Sequence, residues 1–175
     1  MDSILIPAER VKKLREEPAL IKRVSKLCGG CKIEIDTDGA VMLEGEPYAE
    51  FSAKSVLSAF GRGFDVDMAA KLVENDYYFT TTDIGQLFGS RKRVMQVKAR
   101  VIGENGRTKR YIEEVSGAKI SVYGDTVSFI GTIDEITEAE AAVSTLIEGG
   151  THKLAYLRME AAHRKNKQSA HMPGF

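Results

Sequence analysis

The chain has 175 residues, 43% of them hydrophobic, which suffices for a packed core in one large domain or two small ones. Its formal net charge is zero, and no apolar run approaches the roughly 20 residues that a membrane-spanning helix needs. The start, Met1-Asp2-Ser3-Ile4-Leu5-Ile6-Pro7, lacks the basic opening and long apolar stretch of a signal peptide, so a cytoplasmic location with no membrane partner is expected.

In chain order, a strand is predicted at Ser3 to Ile6, then helical stretches near Ala8 to Leu14 and Ala19 to Leu27. After Cys28-Gly29-Gly30-Cys31 the alternation Ile33-Glu34-Ile35 reads as a strand. Asp38-Gly39 is a tight turn, and Ala40 to Glu44 closes a hairpin at Gly45. A helix near Tyr48 to Phe60 follows, and another near Asp67 to Glu74. Tyr77 to Asp83 then reads as a strand, Arg91 to Ile102 as a helix and Arg107 to Val115 as a second helix. Tyr111, Ile112 and Val115 lie on one face of the latter, which turns Arg107, Lys109 and Arg110 outward. Two strands around Gly124-Asp125 end at Gly131, and Ile133 to Glu148 is a helix closed by Gly149-Gly150. From Thr151 to Gln168 a last helix is predicted, with Leu154, Leu157 and Ala161 as its apolar face and Arg158, Arg164, Lys165 and Lys167 elsewhere.

The second half repeats the first. Leu27-Cys28-Gly29-Gly30-Cys31-Lys32-Ile33-Glu34-Ile35 parallels Val115-Ser116-Gly117-Ala118-Lys119-Ile120-Ser121-Val122, and the same elements surround each, which reads as a tandem duplication of a small α+β unit. Charge is not shared evenly between the copies. Residues 1–76 hold 11 Lys and Arg against 14 Asp and Glu, whereas residues 77–175 hold 14 against 11. Within residues 91–110 there are eight cations and one acid, Glu104.

Those cations surround Val101-Ile102-Gly103-Glu104-Asn105-Gly106-Arg107, a Gly-x-x-Gly loop between two helices. Glycines let the chain turn tightly and let phosphates approach without a Cβ in the way, and the helix that follows directs free N–H groups at them. The expected RNA contacts are Arg100, Val101, Ile102, Gly103, Glu104, Asn105, Gly106, Arg107, Lys109, Arg110, Lys119, Ile120 and Val122. The amides of Glu104 to Arg107 and the charges of Arg100, Arg107, Lys109 and Arg110 are expected to face a nucleic-acid backbone, and the apolar residues to line a groove or the core beneath it. Aligned on the hairpins, Gly103 and Gly106 fall opposite Arg15 and Pro18, so the first copy has no such clamp.

Cys28 and Cys31 form the one feature pointing to another class. A zinc site needs two further ligands, and a redox pair is expected at the start of a helix rather than at its end, so two semi-buried free thiols are expected. His152, His163 and His171 are scattered and read as surface residues. No catalytic constellation, metal or cofactor is expected, and the chain is not read as an enzyme.

The order strand, helix, loop, helix, strand, strand, helix resembles a type I K-homology (KH) domain. The chain therefore reads as α+β, two tandem type I KH domains, each a three-stranded antiparallel sheet packed on helices, with a C-terminal helical extension. Residues 1–76 are the degenerate copy without Gly-x-x-Gly, and residues 77–175 are the copy with the intact loop. The run from Arg100 to Glu114, then Ile120 to Gly124, with a cation at Lys109, resembles the archaeal pre-ribosomal KH proteins of the Dim-two or partner-of-NOB-one family. So do Phe64 to Leu72 and Gly150 to Tyr156. The resemblance implies binding to single-stranded RNA near the 3′ end of the small-subunit ribosomal RNA precursor, assistance to a NOB-type endonuclease, and contact with the alpha subunit of translation initiation factor two. Apart from the resemblance, the basic last helix offers secondary RNA or partner contacts at His152, Lys153, Tyr156, Arg158, Arg164 and Lys165. The alternative is a KH-fold scaffold for protein contacts, with RNA binding secondary.

Overall fold

A computed structural model describes residues 2–170. The chain divides into two compact units, residues 1–79 and 80–175, and the strand that opens the second sheet, Tyr78–Asp83, runs across the division. Among the described residues no helix is long and apolar enough to cross a membrane.

The first unit runs β1 (Asp2–Ile4), α1 (Ala8–Glu16), α2 (Pro18–Leu27), β2 (Lys32–Ile35), β3 (Val41–Glu44), α3 (Pro47–Gly61) and α4 (Val66–Ala69), with a 3-10 turn at Ala70–Val73. Its sheet is ordered β1-β3-β2, β3 being antiparallel to both neighbours and Leu43 standing opposite Asp2 and Ile33. Ile33, Val41 and Leu43 are buried, as are Leu14, Val24, Val56, Leu57 and Phe60 of the helices. The first strand is shorter and earlier than Ser3 to Ile6, because Pro7 already begins the turn into α1. Pro18 separates the first two helices and occupies the first position of α2, where its missing N–H costs nothing. The helix expected near Asp67 to Glu74 is instead the single turn α4 and the 3-10 turn; the Asp65 carboxylate accepts the Met68 N–H at 2.7 Å to start it. Arg15 donates to the Asp36 carbonyl at 2.7 Å, tying α1 to the β2–β3 turn.

The second unit runs β4 (Tyr78–Asp83), α5 (Ile84–Leu87), α6 (Arg91–Ile102), a 3-10 turn at Glu104–Gly106, α7 (Arg107–Ser116), β5 (Lys119–Tyr123), β6 (Thr126–Gly131), α8 (Ile133–Ile147) and α9 (His152–Ala170). The strand order, β4-β6-β5, repeats the first-third-second order of the other unit. The short α5, not expected from the sequence, starts where the Asp83 carboxylate accepts the Gln86 N–H. At α8 Thr132 and Glu135 cap each other's backbone amides.

Val94, Val97 and Val101 of α6, Ile112 of α7, Ile120, Val127 and Phe129 of the sheet, and Ala139, Val143 and Leu146 of α8 form one core. Helix α9 joins it through Ala155 and Met159, both fully buried. That differs from the expected face. Leu154, Leu157 and Ala161 are exposed, because the Ala-rich surface of α8 accepts small and flexible side chains at close approach.

Candidate nucleic-acid interface

Between α6 and α7 the backbone leaves the right-handed region at three residues: Gly103 (φ 76°, ψ 173°), Asn105 (φ 51°, ψ 28°) and Gly106 (φ 74°, ψ 14°). The two glycines are required for different reasons. A Cβ at Gly103 would lie 2.2 Å from Thr108 Oγ1 and 2.7 Å from Thr108 N, so this glycine lets the first turn of α7 close over the loop. At Gly106 the nearest atom is Arg110 Nε at 4.0 Å, so only the left-handed backbone calls for glycine.

Not all the expected amides are free. The Gly106 N–H donates to the Gly103 carbonyl at 3.2 Å and the Arg107 N–H to the Glu104 carbonyl, so these two close the loop on itself. The amides of Glu104 and Asn105 have no partner among the described residues.

The expected cations separate into three roles. Arg100 donates to the Leu146 carbonyl at 3.0 Å and to the Gly150 carbonyl, holding the end of α8. Lys109 pairs with Glu113 at 3.1 Å, and Glu113 in turn accepts the Ile120 N–H at 2.8 Å. Arg110 folds back on the loop, donating to the Asn105 carbonyl at 2.5 Å. Arg107 is exposed and has no partner among the described residues. Of four cations expected to meet phosphate, then, two are committed to structure, one braces the loop, and Arg107 is available.

On the β5 side Val101 and Ile120 are buried core, while Ile102 and Val122 are half-buried and Lys119 is exposed. Lys98, not among the expected contacts, reaches from α6 to the Gly124 carbonyl in the β5–β6 turn. On the other side, an open recess of about 490 Å³ lies against the loop, lined by Ala99, Arg100, Gly103, Glu104, Arg107, Thr108, His152 and Tyr156. A second, of about 370 Å³, is lined by Arg107, Arg110, Tyr111, Glu114 and Tyr156.

The segment after residue 150 thus stands beside the loop. His152 Nε2 is 3.0 Å from the Arg100 carbonyl, and the Tyr156 ring packs on Tyr111 with centroids 4.5 Å apart. Tyr111 donates its hydroxyl to Glu160, a bond that raises the phenol above its ordinary range. Arg158 bonds Thr145 Oγ1 and pairs with Glu148, while Lys153, Arg164 and Lys165 are exposed. His163 is not a free surface residue, since its Nδ1 lies 2.7 Å from the buried Glu138, which also accepts from Asn166. His171 lies outside the described residues.

Cys28 and Cys31 are both buried, and burial pushes the Cys28 thiol up to about 11 and the Cys31 thiol upward as well. A redox-active thiol needs the opposite shift. Among the described residues no group of three or more His, Cys, Asp or Glu is placed to hold a metal ion.

A two-glycine loop between helices, followed by an antiparallel hairpin and a closing helix on a sheet of first-third-second order, defines a KH protein. Residues 78–164 match a family model for the second KH domain of PNO1, described as the eukaryotic type KH-domain (KH-domain type I). The chain belongs to the PNO1/Dim2 family of KH proteins. It is 34% identical over 174 residues to a KH domain-containing protein of Methanocaldococcus jannaschii, covering 97% of this chain and 77% of that one. It is 28% identical over 136 residues to the pre-rRNA-processing protein pno1 of Emericella nidulans, covering 75% of this chain but 50% of that longer protein. Among solved structures it is similar to Dim2p from Pyrococcus horikoshii (TM-score 0.80, 31% identity, 91% of this chain and 98% of that one). It is also similar to a chain in the a/eIF2alpha-aDim2p-rRNA complex from the same organism (TM-score 0.76, 30% identity, 95% and 94%).

Proposed function

We propose that this protein binds single-stranded RNA at the Gly103–Arg107 loop and serves as an assembly factor for the small ribosomal subunit. The observation that carries this reading is the loop itself. Left-handed backbone at Asn105 and Gly106, free amides at Glu104 and Asn105, and the unpaired guanidinium of Arg107 make an anion cradle at the start of a helix. About four nucleotides then run between the loop and β5, over Ile102 and Val122, with Lys119 beside them. Pre-rRNA processing in the Emericella relative and rRNA in the Pyrococcus complex support ribosomal RNA as the ligand.

The finer assignment is the 3′ end of the small-subunit rRNA precursor, bound while a NOB-type endonuclease trims it, with the alpha subunit of translation initiation factor two as a further partner. Residues 1–76 act as a degenerate KH copy, and residues 77–175 carry the RNA site. In the first copy Arg15 bridges to the β2–β3 turn and Pro18 begins α2, which leaves no glycine cradle there. Crosslinking with sequencing of the bound RNA tests the assignment, and reads that do not concentrate near that 3′ end overturn it.

A scaffold role is favoured by one observation: Tyr48 and Phe51, on α3, are 68% and 69% exposed. Gly106→Asp separates the readings. Loss of RNA affinity supports the RNA role, whereas unchanged partner binding with RNA dispensable supports the scaffold.

A further inference from the structure

Helix α6 has two flanks around its buried valines. Lys98 and Ile102 stand on the flank toward the β5–β6 turn, as the Lys98 bond to Gly124 shows. Ala99, Arg100 and Gly103 stand on the other, where Arg100 reaches the end of α8. Helix α7 divides in the same way: Lys109 and Glu113 turn toward β5, whereas Arg107, Arg110 and Tyr111 turn toward α9. The loop therefore separates a groove on the β5 side from the two recesses on the α9 side.

Those recesses have the chemistry of a nucleotide site. They adjoin through Arg107 and Tyr156, which line both, and each exceeds the roughly 300 Å³ at which small-ligand sites begin. Their aromatic wall is already set. Tyr156 packs on Tyr111, whose hydroxyl is fixed to Glu160, and the His152 ring, held at the Arg100 carbonyl, lies 6.3 Å from Tyr156. A base stacking there orders little that is not ordered before binding. Glu104 and Glu114 offset Arg107 and Arg110 on the same surface, which disfavours a run of phosphates there and leaves the base contact as the main attraction.

We infer that the α9 side of the loop is a separate nucleotide site, taking one nucleotide of the strand beyond those held on the β5 side, with its base stacked on Tyr156 beside His152 and with Arg107 holding the phosphate that joins it to the clamped strand. This rests on the reading of Gly103–Arg107 as an RNA clamp. It makes α9 part of the RNA surface and lengthens the bound strand.

The test uses the full chain and oligoribonucleotides of about four and about seven nucleotides, the longer one also with abasic residues at the added positions. The longer RNA is expected to bind about 5- to 160-fold tighter, the range of one stacked base. Tyr156→Ala is expected to remove that gain and leave the short oligomer unaffected, while Tyr156→Phe and Tyr156→Trp keep it. The abasic RNA is expected to lose it too. A gain that survives in Tyr156→Ala or in the abasic RNA overturns the inference, as does tight binding of the short oligomer with no gain at all. Short-oligomer binding that is absent or indifferent to Gly106→Asp overturns the clamp itself and this site with it. Should Tyr156→Ala fail to fold, the abasic RNA and Tyr156→Phe still decide.

Discussion

The Lys109 ammonium lies 3.1 Å from Glu113 Oε1, the same oxygen that accepts the Ile120 N–H at 2.8 Å. A cation one turn beyond a glycine loop is thereby joined to the edge of the sheet. Glu113→Ala leaves the Ile120 amide without its acceptor and is expected to lower stability by about 1–3 kcal/mol in denaturant unfolding. Lys109→Met is expected to cost less than about 1 kcal/mol and to change RNA affinity much less than Arg107→Gln does.

Of the four cations expected at the loop, Arg107 is the one without a partner among the described residues, so the salt dependence of RNA binding should report it. Removing one phosphate contact to a single strand is expected to reduce the slope of log K against log salt by about 0.7. Arg107→Gln should show that reduction in a titration over salt, and Arg100→Gln should show none. An unchanged slope in Arg107→Gln would place the phosphate elsewhere.

The two loop glycines predict unequal costs. Gly106→Ala meets only the Arg110 side chain, at ordinary van der Waals distance, and is expected to cost about 1–2 kcal/mol through its left-handed backbone alone. Gly103→Ala adds a Cβ inside van der Waals contact with Thr108 and is expected to cost about 1–3 kcal/mol more. Unfolding midpoints of the two variants check the order. Gly106 is therefore the cleaner position at which to disable RNA binding in a folded protein.

The buried Cys28 predicts a pH dependence. Its thiol is raised from 9.0 to about 11 in the folded state, so the folded protein holds this proton more tightly than the unfolded chain does. The stabilisation is complete below about pH 9 and is lost as pH rises toward 11, amounting to about 2–3 kcal/mol at most. Unfolding followed from pH 8 to 11 should fall more steeply in the native protein than in Cys28→Ala. Equal slopes would show that the thiol does not titrate as its burial requires.

Much of the fold was legible because its signals are local. Gly103, Gly106 and Gly117 punctuate the helices, Arg91–Ile102 carries its valines at helical spacing, and the hairpins alternate around glycine turns. The fate of the cations was not, because their partners come from distant segments: Arg100 bonds a carbonyl 46 residues away, and the Ile120 amide makes Glu113 as important as Lys109. The Lys109–Glu113 pair itself had a readable signal in its four-residue spacing. On α9 the period was read correctly but its phase was not. Leucines suggested the buried face, yet alanine and methionine fit against α8 where helices approach closely.

The anchoring of the last turn of α6 bears on how the second unit can be cut from its surroundings. The Arg100 side chain grips Leu146 and Gly150 while its own carbonyl meets His152, so the three residues before Gly103 are set by chain lying some fifty positions downstream. A graft ending at the close of α8 would keep the Leu146 carbonyl but lose the Gly150 and His152 contacts, transplanting the glycines with only part of the brace that orients them. The smallest portable module ends within α9, beyond Glu160.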